Sequence, residues 1–154
     1  MPSEQRTFKN APGELMMSGL EDAARTLQNG EPIVPLRPGV FVAVPIGSEG
    51  NGEGRLAVLP VSAASVIIGV VKKWIYKDIH PPKDQIAVYH RGYVGVWVAV
   101  AVKAHDPVFA VFTPGNTQGF GTNAAGANAV VVNSARFVST TPANEVAIVS
   151  LLLP

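Results

Sequence analysis

The chain has 154 residues, the size of one ordinary domain, and is 47% hydrophobic but only 15% charged, against about 25% charged for a typical soluble domain. That balance excludes wholesale disorder, and a net charge of +1 leaves no global basic field to hold nucleic acid. Cysteine is absent, which excludes a disulfide scaffold, a thiolate metal site and a cysteine nucleophile.

The first stretch, MPSEQRTFKN, is polar where a signal peptide needs an apolar core. Residues 1–13 read as a loose arm with Phe8 as a single anchor and Pro12-Gly13 as a turn. A short helix of about ten residues is expected next. Ser18 and Glu21 have capping-box spacing. Leu20, Ala23, Ala24 and Leu27 recur at the period of one helical face, and Asn29-Gly30 is a helix stop. The arm with its helix is assigned to residues 1–32, and a β domain to residues 33–154.

From Ile33 onward the texture is strand and turn. Val40–Val44 is a short β run after Pro38-Gly39. Residues 48–54 (SEGNGEG) have the composition of a flexible loop; no Lys-Ser/Thr and no helix follows, so phosphate cradling is excluded. Val66–Lys77 is a long β candidate. Its Lys72-Lys73-Trp74-Ile75-Tyr76-Lys77 run mixes cations with aromatics, as single-strand nucleic-acid binders do. Three lysines do not make a patch, and they read better as protection of an exposed edge. His80-Pro81-Pro82 is a rigid connection that cannot be a central strand.

Ile86–Lys103 carries the clearest pattern. Val94, Val96, Val98, Val100 and Val102 alternate without a break, the signature of a strand whose β-branched side chains enter one core. Tyr89, Tyr93 and Trp97 fall on the opposite face, with Ala99 and Ala101 after them. Because neither face is strongly polar, the second is expected to be covered by a neighbouring subunit. The longest purely apolar stretch, Val94–Val102, is too short for a membrane helix, which needs roughly 18–20 residues.

His105-Asp106-Pro107 is a turn, and Val108–Phe112 is a strand. Thr113–Asn128 is a long loop with Phe120 at its centre. Ala129–Val132, Ala135–Val138 and Val146–Leu153 are closing strands, separated by turns at Asn133-Ser134 and Pro142-Ala143-Asn144. The fold class is therefore all-β: a β-sandwich or jelly-roll-like barrel preceded by an arm with one short helix.

Chemistry is hard to place on this chain. His80, His90 and His105 are widely spaced, and two of them sit in proline turns, so they read as turn or solvated histidines and not as a metal site. No Gly-x-Ser-x-Gly elbow occurs. Asp78, Asp84 and Asp106 lie in turns beside Lys or Pro, which argues against a buried carboxylate pair. No catalytic residue, cofactor site or metal site is assigned. Surplus apolar surface on a small domain points to protein interfaces. The residues assigned to one are Phe8, Leu15, Met16, Met17, Leu20 and Leu27 of the arm, with Tyr93 and Trp97 of the long strand.

Six segments occur in an order that resembles the structural cement (capsid decoration) proteins of tailed bacteriophages. They are Pro38-Gly39-Val40-Phe41-Val42, His90-Arg91-Gly92-Tyr93-Val94-Gly95-Val96, His105-Asp106-Pro107-Val108-Phe109, Gly119-Phe120, Ala135-Arg136-Phe137-Val138 and the final Val146–Pro154 stretch. The likeness covers roughly residues 33–154. His105 stands where the family pattern has Gly before Asp-Pro, and residues 1–30 match nothing in it. The resemblance implies a jelly-roll-type domain that binds the outside of a phage head at junctions between major capsid proteins and stabilises the shell. It implies no enzymatic activity and no cofactor. The expected partners are the major capsid protein and the chain itself, as a homo-dimer or homo-trimer, with neither nucleic acid nor membrane. The expected location is the outer surface of the virion, after assembly in the host bacterial cytoplasm. The competing readings are a small ligand- or sugar-binding β-barrel and a domain of a phage tail or fibre protein.

Overall fold

The structure is a computed structural model that describes residues 12, 23–46, 56–73, 79–124 and 128–153. Among these residues there are nine strands and no helix. The strands are β1 (Ala23–Asn29), β2 (Phe41–Ala43), β3 (Leu56–Ala57), β4 (Ile67–Val71), β5 (Gln85–Trp97), β6 (Pro107–Val111), β7 (Gly121–Thr122), β8 (Ala129–Phe137) and β9 (Val146–Leu152). All lie in one sheet with the path β2-β4-β5-β9-β8-β6-β7, and β1 bridges β5 to β3. The sheet nearly closes on itself. The Phe41 N–H donates to the Gly119 carbonyl just before β7 (2.8 Å), and the Ala99 N–H donates to the Gly121 carbonyl (2.9 Å).

The expected helix is replaced where the structure describes it. Ala23–Asn29 is a strand, antiparallel to the first half of β5 and parallel to β3. The helical spacing of Ala23, Ala24 and Leu27 is overridden by tertiary pairing, because a free edge of β5 satisfies the backbone better than a marginal helix does. Asn29 is not a helix stop. It is a buried polar hub whose amide donates to the His80 carbonyl at 2.9 Å, while its side-chain oxygen accepts from the Glu31 N–H at 2.9 Å. Among the described residues the sheet begins at Ala23, and the capping-box residues Ser18 and Glu21 lie outside the described residues.

Strand β5 is the spine. Gln85–Arg91 pairs with β1, and Arg91–Trp97 pairs with β9. Where the two halves meet, Ala23 and Ala24 face Arg91 and Tyr89, so β5 carries an extra residue. Gly92 has φ +107°, a conformation that favours glycine. This bulge reverses the phase of the alternation. Ile86 and Val88 enter one core, while Val94, Val96 and Val98 enter the other. Tyr89 therefore packs on the opposite core from Trp97, and the expected single row of Tyr89, Tyr93 and Trp97 is broken. The valine alternation also ends early. Val94, Val96 and Val98 are fully buried and Val102 nearly so, but Val100 is 40% exposed, because the chain bends at Ala99-Val100.

Two cores result. The larger gathers Phe41, Val70, Val94, Val96, Val98, Phe137 and Val149 among others. The smaller gathers Leu27, Leu36, Val40, Val42, Val71, Ile86, Val88 and Phe120. Short β2 is buried on both faces: Phe41 and Ala43 point into the larger core, and Val42 points into the smaller. Asn133-Ser134 is not a turn between two strands. It is a bulge inside β8, with Ser134 at φ +59°. Residues before it pair with β6, and residues after it pair with β9, Arg136 also facing Pro107 of β6.

At Gly69 the β2–β4 ladder shifts register, and β4 presses on β5. A Cβ placed there would overlap the Tyr89 carbonyl oxygen and stand 2.6 Å from Val88 Cγ1. Neither can move without breaking the shared wall, so Gly69→Ala is expected to cost roughly 3 kcal/mol, the upper range for overpacking. Chemical denaturation followed by circular dichroism measures this; a loss under about 0.5 kcal/mol would show that the approach is looser than described.

Candidate functional site

A surface with exposed apolar groups lies over the smaller core. An antiparallel bridge between Leu36 and His80 brings the proline-punctuated segment 34–38 beside residues 79–80. His80 is therefore not a solvated turn histidine. It is 1% exposed, with Nδ1 3.3 Å from Asp84 Oδ2. Backbone bonds in both directions join Leu36 and His80 at 2.7–2.8 Å. Ile33 (81% exposed) and Ile79 (54%) are left facing out, although either would lower the free energy by burial against a partner.

Beside them the Trp97 ring stacks on Phe120, with centroids 6.1 Å apart and planes inclined by 18°. The Arg37 guanidinium lies 5.3 Å from the Phe120 centroid and donates to the Asn116 carbonyl at 2.9 Å. A cation over an aromatic face contributes about 0.5–1 kcal/mol when exposed; here it also fixes the direction of the Arg37 stem. Arg37 lines three adjoining cavities. The largest, of about 480 Å³, is walled by Val34, Leu36, Val40, Leu59 and Ile79 among others. The second, of about 250 Å³, lies between Pro38, Lys73, Ile79, Trp97 and Pro12. The third, of about 240 Å³, lies between Trp97, Phe120 and Asn144.

Of the residues assigned to an interface, Phe8, Leu15, Met16, Met17 and Leu20 lie outside the described residues. Leu27 is 8% exposed and packs in the smaller core of its own chain. Tyr93 is half-buried on β5 opposite Ser150. Trp97 is half-buried, packed on the smaller core beneath Arg37 and Phe120. The structure thus joins Trp97 to partners that periodicity does not reveal. Arg37, set between Pro35 and Pro38, and Ile79 belong to segments without repeating pattern. Their signal is only a cation and an aliphatic side chain held in rigid, proline-bracketed chain. Lys72 and Lys73 follow β4 as exposed residues, and Lys72 Nζ lies 5.6 Å from the Tyr89 centroid.

Among the described residues no three His, Asp or Glu side chains gather as metal ligands. No helix among them is long and apolar enough to cross a membrane. The Asp106 carboxyl is held below the usual carboxylate range by the Asn123 amide (2.8 Å) and the Lys103 N–H (2.9 Å). The same turn places His105 at φ +75°, while its N–H donates to the Phe137 carbonyl at 2.7 Å.

That turn yields two expected outcomes. A left-handed backbone costs a side-chain-bearing residue roughly 1–2 kcal/mol, partly offset by the chain entropy glycine adds when unfolded. His105→Gly should therefore raise stability by up to about 1 kcal/mol, read as a higher denaturation midpoint; a lower midpoint would contradict the assigned backbone. Because the folded Asp106 pKa lies below its unfolded value, its contribution is present above the ordinary carboxylate pKa and lost as pH falls through the folded value. Asp106→Asn should flatten that acid limb of a stability-against-pH curve and leave the slope near neutrality unchanged.

The family model for structural cement proteins (E217 gp24/Pam3 gp6) matches residues 6–152. A chain of the structure described as "The capsid of Myoviridae Phage XM1" has the same fold, with a TM-score of 0.74 and 23% identity over 95% of this chain and 92% of that one. No curated protein matches the chain. With nearly its whole length matched, the chain belongs to the phage structural cement protein family and has that family's capsid-stabilising role.

Proposed function

We propose that the protein sits on the outer surface of a phage head, at junctions between major capsid proteins, and ties neighbouring subunits together. The reading rests chiefly on the family match over residues 6–152. The exposed Ile33, Val34 and Ile79 beside the Arg37–Trp97 groove supply a surface on which such contacts can form. Its partners are the major capsid protein and further copies of itself, as a dimer or trimer closed by point-group symmetry. It works without catalysis or cofactor, and binds neither nucleic acid nor membrane. It assembles onto heads in the bacterial cytoplasm and remains in the virion.

Residues 1–22 form the arm in this reading, ending where β1 begins. Phe8, Leu15, Met16, Met17 and Leu20 give it more apolar surface than a solvated tail needs, and methionine adapts to uneven partner surfaces. Tyr93 and Trp97 add contacts from the domain itself.

Co-sedimentation with empty heads, using the full chain and a chain lacking residues 1–22, tests both parts. The full chain is expected in the head fraction, with saturable binding. Removal of residues 1–22 spares every described strand, so the shortened chain should still fold while head binding drops about tenfold or more. A full chain that stays in the supernatant at saturating concentration overturns the cement reading; undiminished binding by the shortened chain overturns the role of the arm.

A further inference from the structure

The second cavity has an unusual wall. Pro12, far ahead of β1 in the chain, lies half-buried there between Arg37, Pro38, Lys73, Ile79 and Trp97. It shares the cavity wall with an indole and a second proline, apolar faces that suit a rigid pyrrolidine. The seat is fixed before the arm arrives: Trp97 is held by its stack on Phe120, and Arg37 by that ring and the Asn116 carbonyl.

We infer that the groove is the receptor for the arm of its own chain, with Pro12 as the fixed point and Phe8 as the residue that fills the larger cavity. Arg37 and Ile79 line both cavities, so the two adjoin. The larger one, about 480 Å³ and walled by Val34, Leu36, Val40 and Leu59, has room for an aromatic ring and needs an apolar one. Four residues of extended chain reach about 13 Å, enough to pass from the Pro12 seat to the neighbouring cavity. Phe8 is the only aromatic residue before β1. The return path is equally feasible: eleven residues from Pro12 to Ala23 can span up to about 36 Å. The inference concerns the free protein, and stands whether or not the arm later grips the shell.

A photo-reactive p-benzoylphenylalanine at position 8 of the full chain tests it in solution without capsid. Irradiating a mixture of ¹⁵N-labelled and unlabelled copies, then mapping adducts by mass spectrometry, distinguishes the possible occupants. The expected adducts lie in residues 34–40, 59, 79 or 115–118, with both linked peptides carrying the same isotope. Ile79→Asp puts a charge on the half-exposed lip of both cavities and should lower their yield about tenfold without changing the circular dichroism spectrum. Mixed-isotope adducts at those positions would show that a second copy's arm occupies the groove, and would overturn the inference. Adducts scattered elsewhere, or a yield indifferent to Ile79→Asp in a folded variant, would overturn the groove as receptor.

Discussion

Everything in this fold depends on a wall that is wet on neither side. Strands β2 and β4 separate two hydrophobic cores, with Phe41, Ala43 and Val70 facing one, and Val42 and Val71 facing the other. A strand buried on both faces must be apolar at every position, so strict alternation disappears and a continuous apolar run takes its place. The positive mean hydropathy of +0.25 follows in part from this. A chain of this size with one core would leave one face of each strand polar. Two cores around a common wall consume apolar side chains that would otherwise seem to demand a partner.

The same wall explains which parts of the fold are legible in the sequence. Strands with one dominant core, such as the Val94–Val98 part of β5, announce themselves by period two, and the closing strand β9 does so by its apolar run. The end of β1 did not. Leu27, Ala24 and Ala23 satisfy a helical period, but the segment takes its structure from the edge of β5, which lies more than fifty residues away in the chain. No local pattern encodes that choice. The phase reversal in β5 was equally hidden, because it needs only one extra residue and Gly92 at positive φ. Its effect is large: it sends Tyr89 and Trp97 to different cores, and so dismantles a surface that a uniform strand would have built.

The turn before β6 shows the converse, a place where sequence comparison carried physical content. His105 stands where the resemblance implies glycine, and its backbone occupies the left-handed region that glycine enters freely. The departure does not destroy the turn. The Asp106 carboxylate accepts from Lys103 and Asn123, and Phe137 bonds the turn in both directions. Local strain at His105 is held by the surrounding hydrogen bonds.

The wall also sets the mechanical character of the surface above it. Gly39 accepts from Trp97 at 3.0 Å and donates to Val71 at 3.0 Å, which ties the start of β2 to β4 and to the end of β5 at once. Arg37 and Trp97 therefore stand on segments joined by backbone bonds, although sixty residues separate them in the chain. Neither has to be ordered when a partner arrives, so the entropic cost of association falls on the partner segment alone. A protein whose task is to hold a shell together gains from that division. The rigid half of each contact is built when the domain folds.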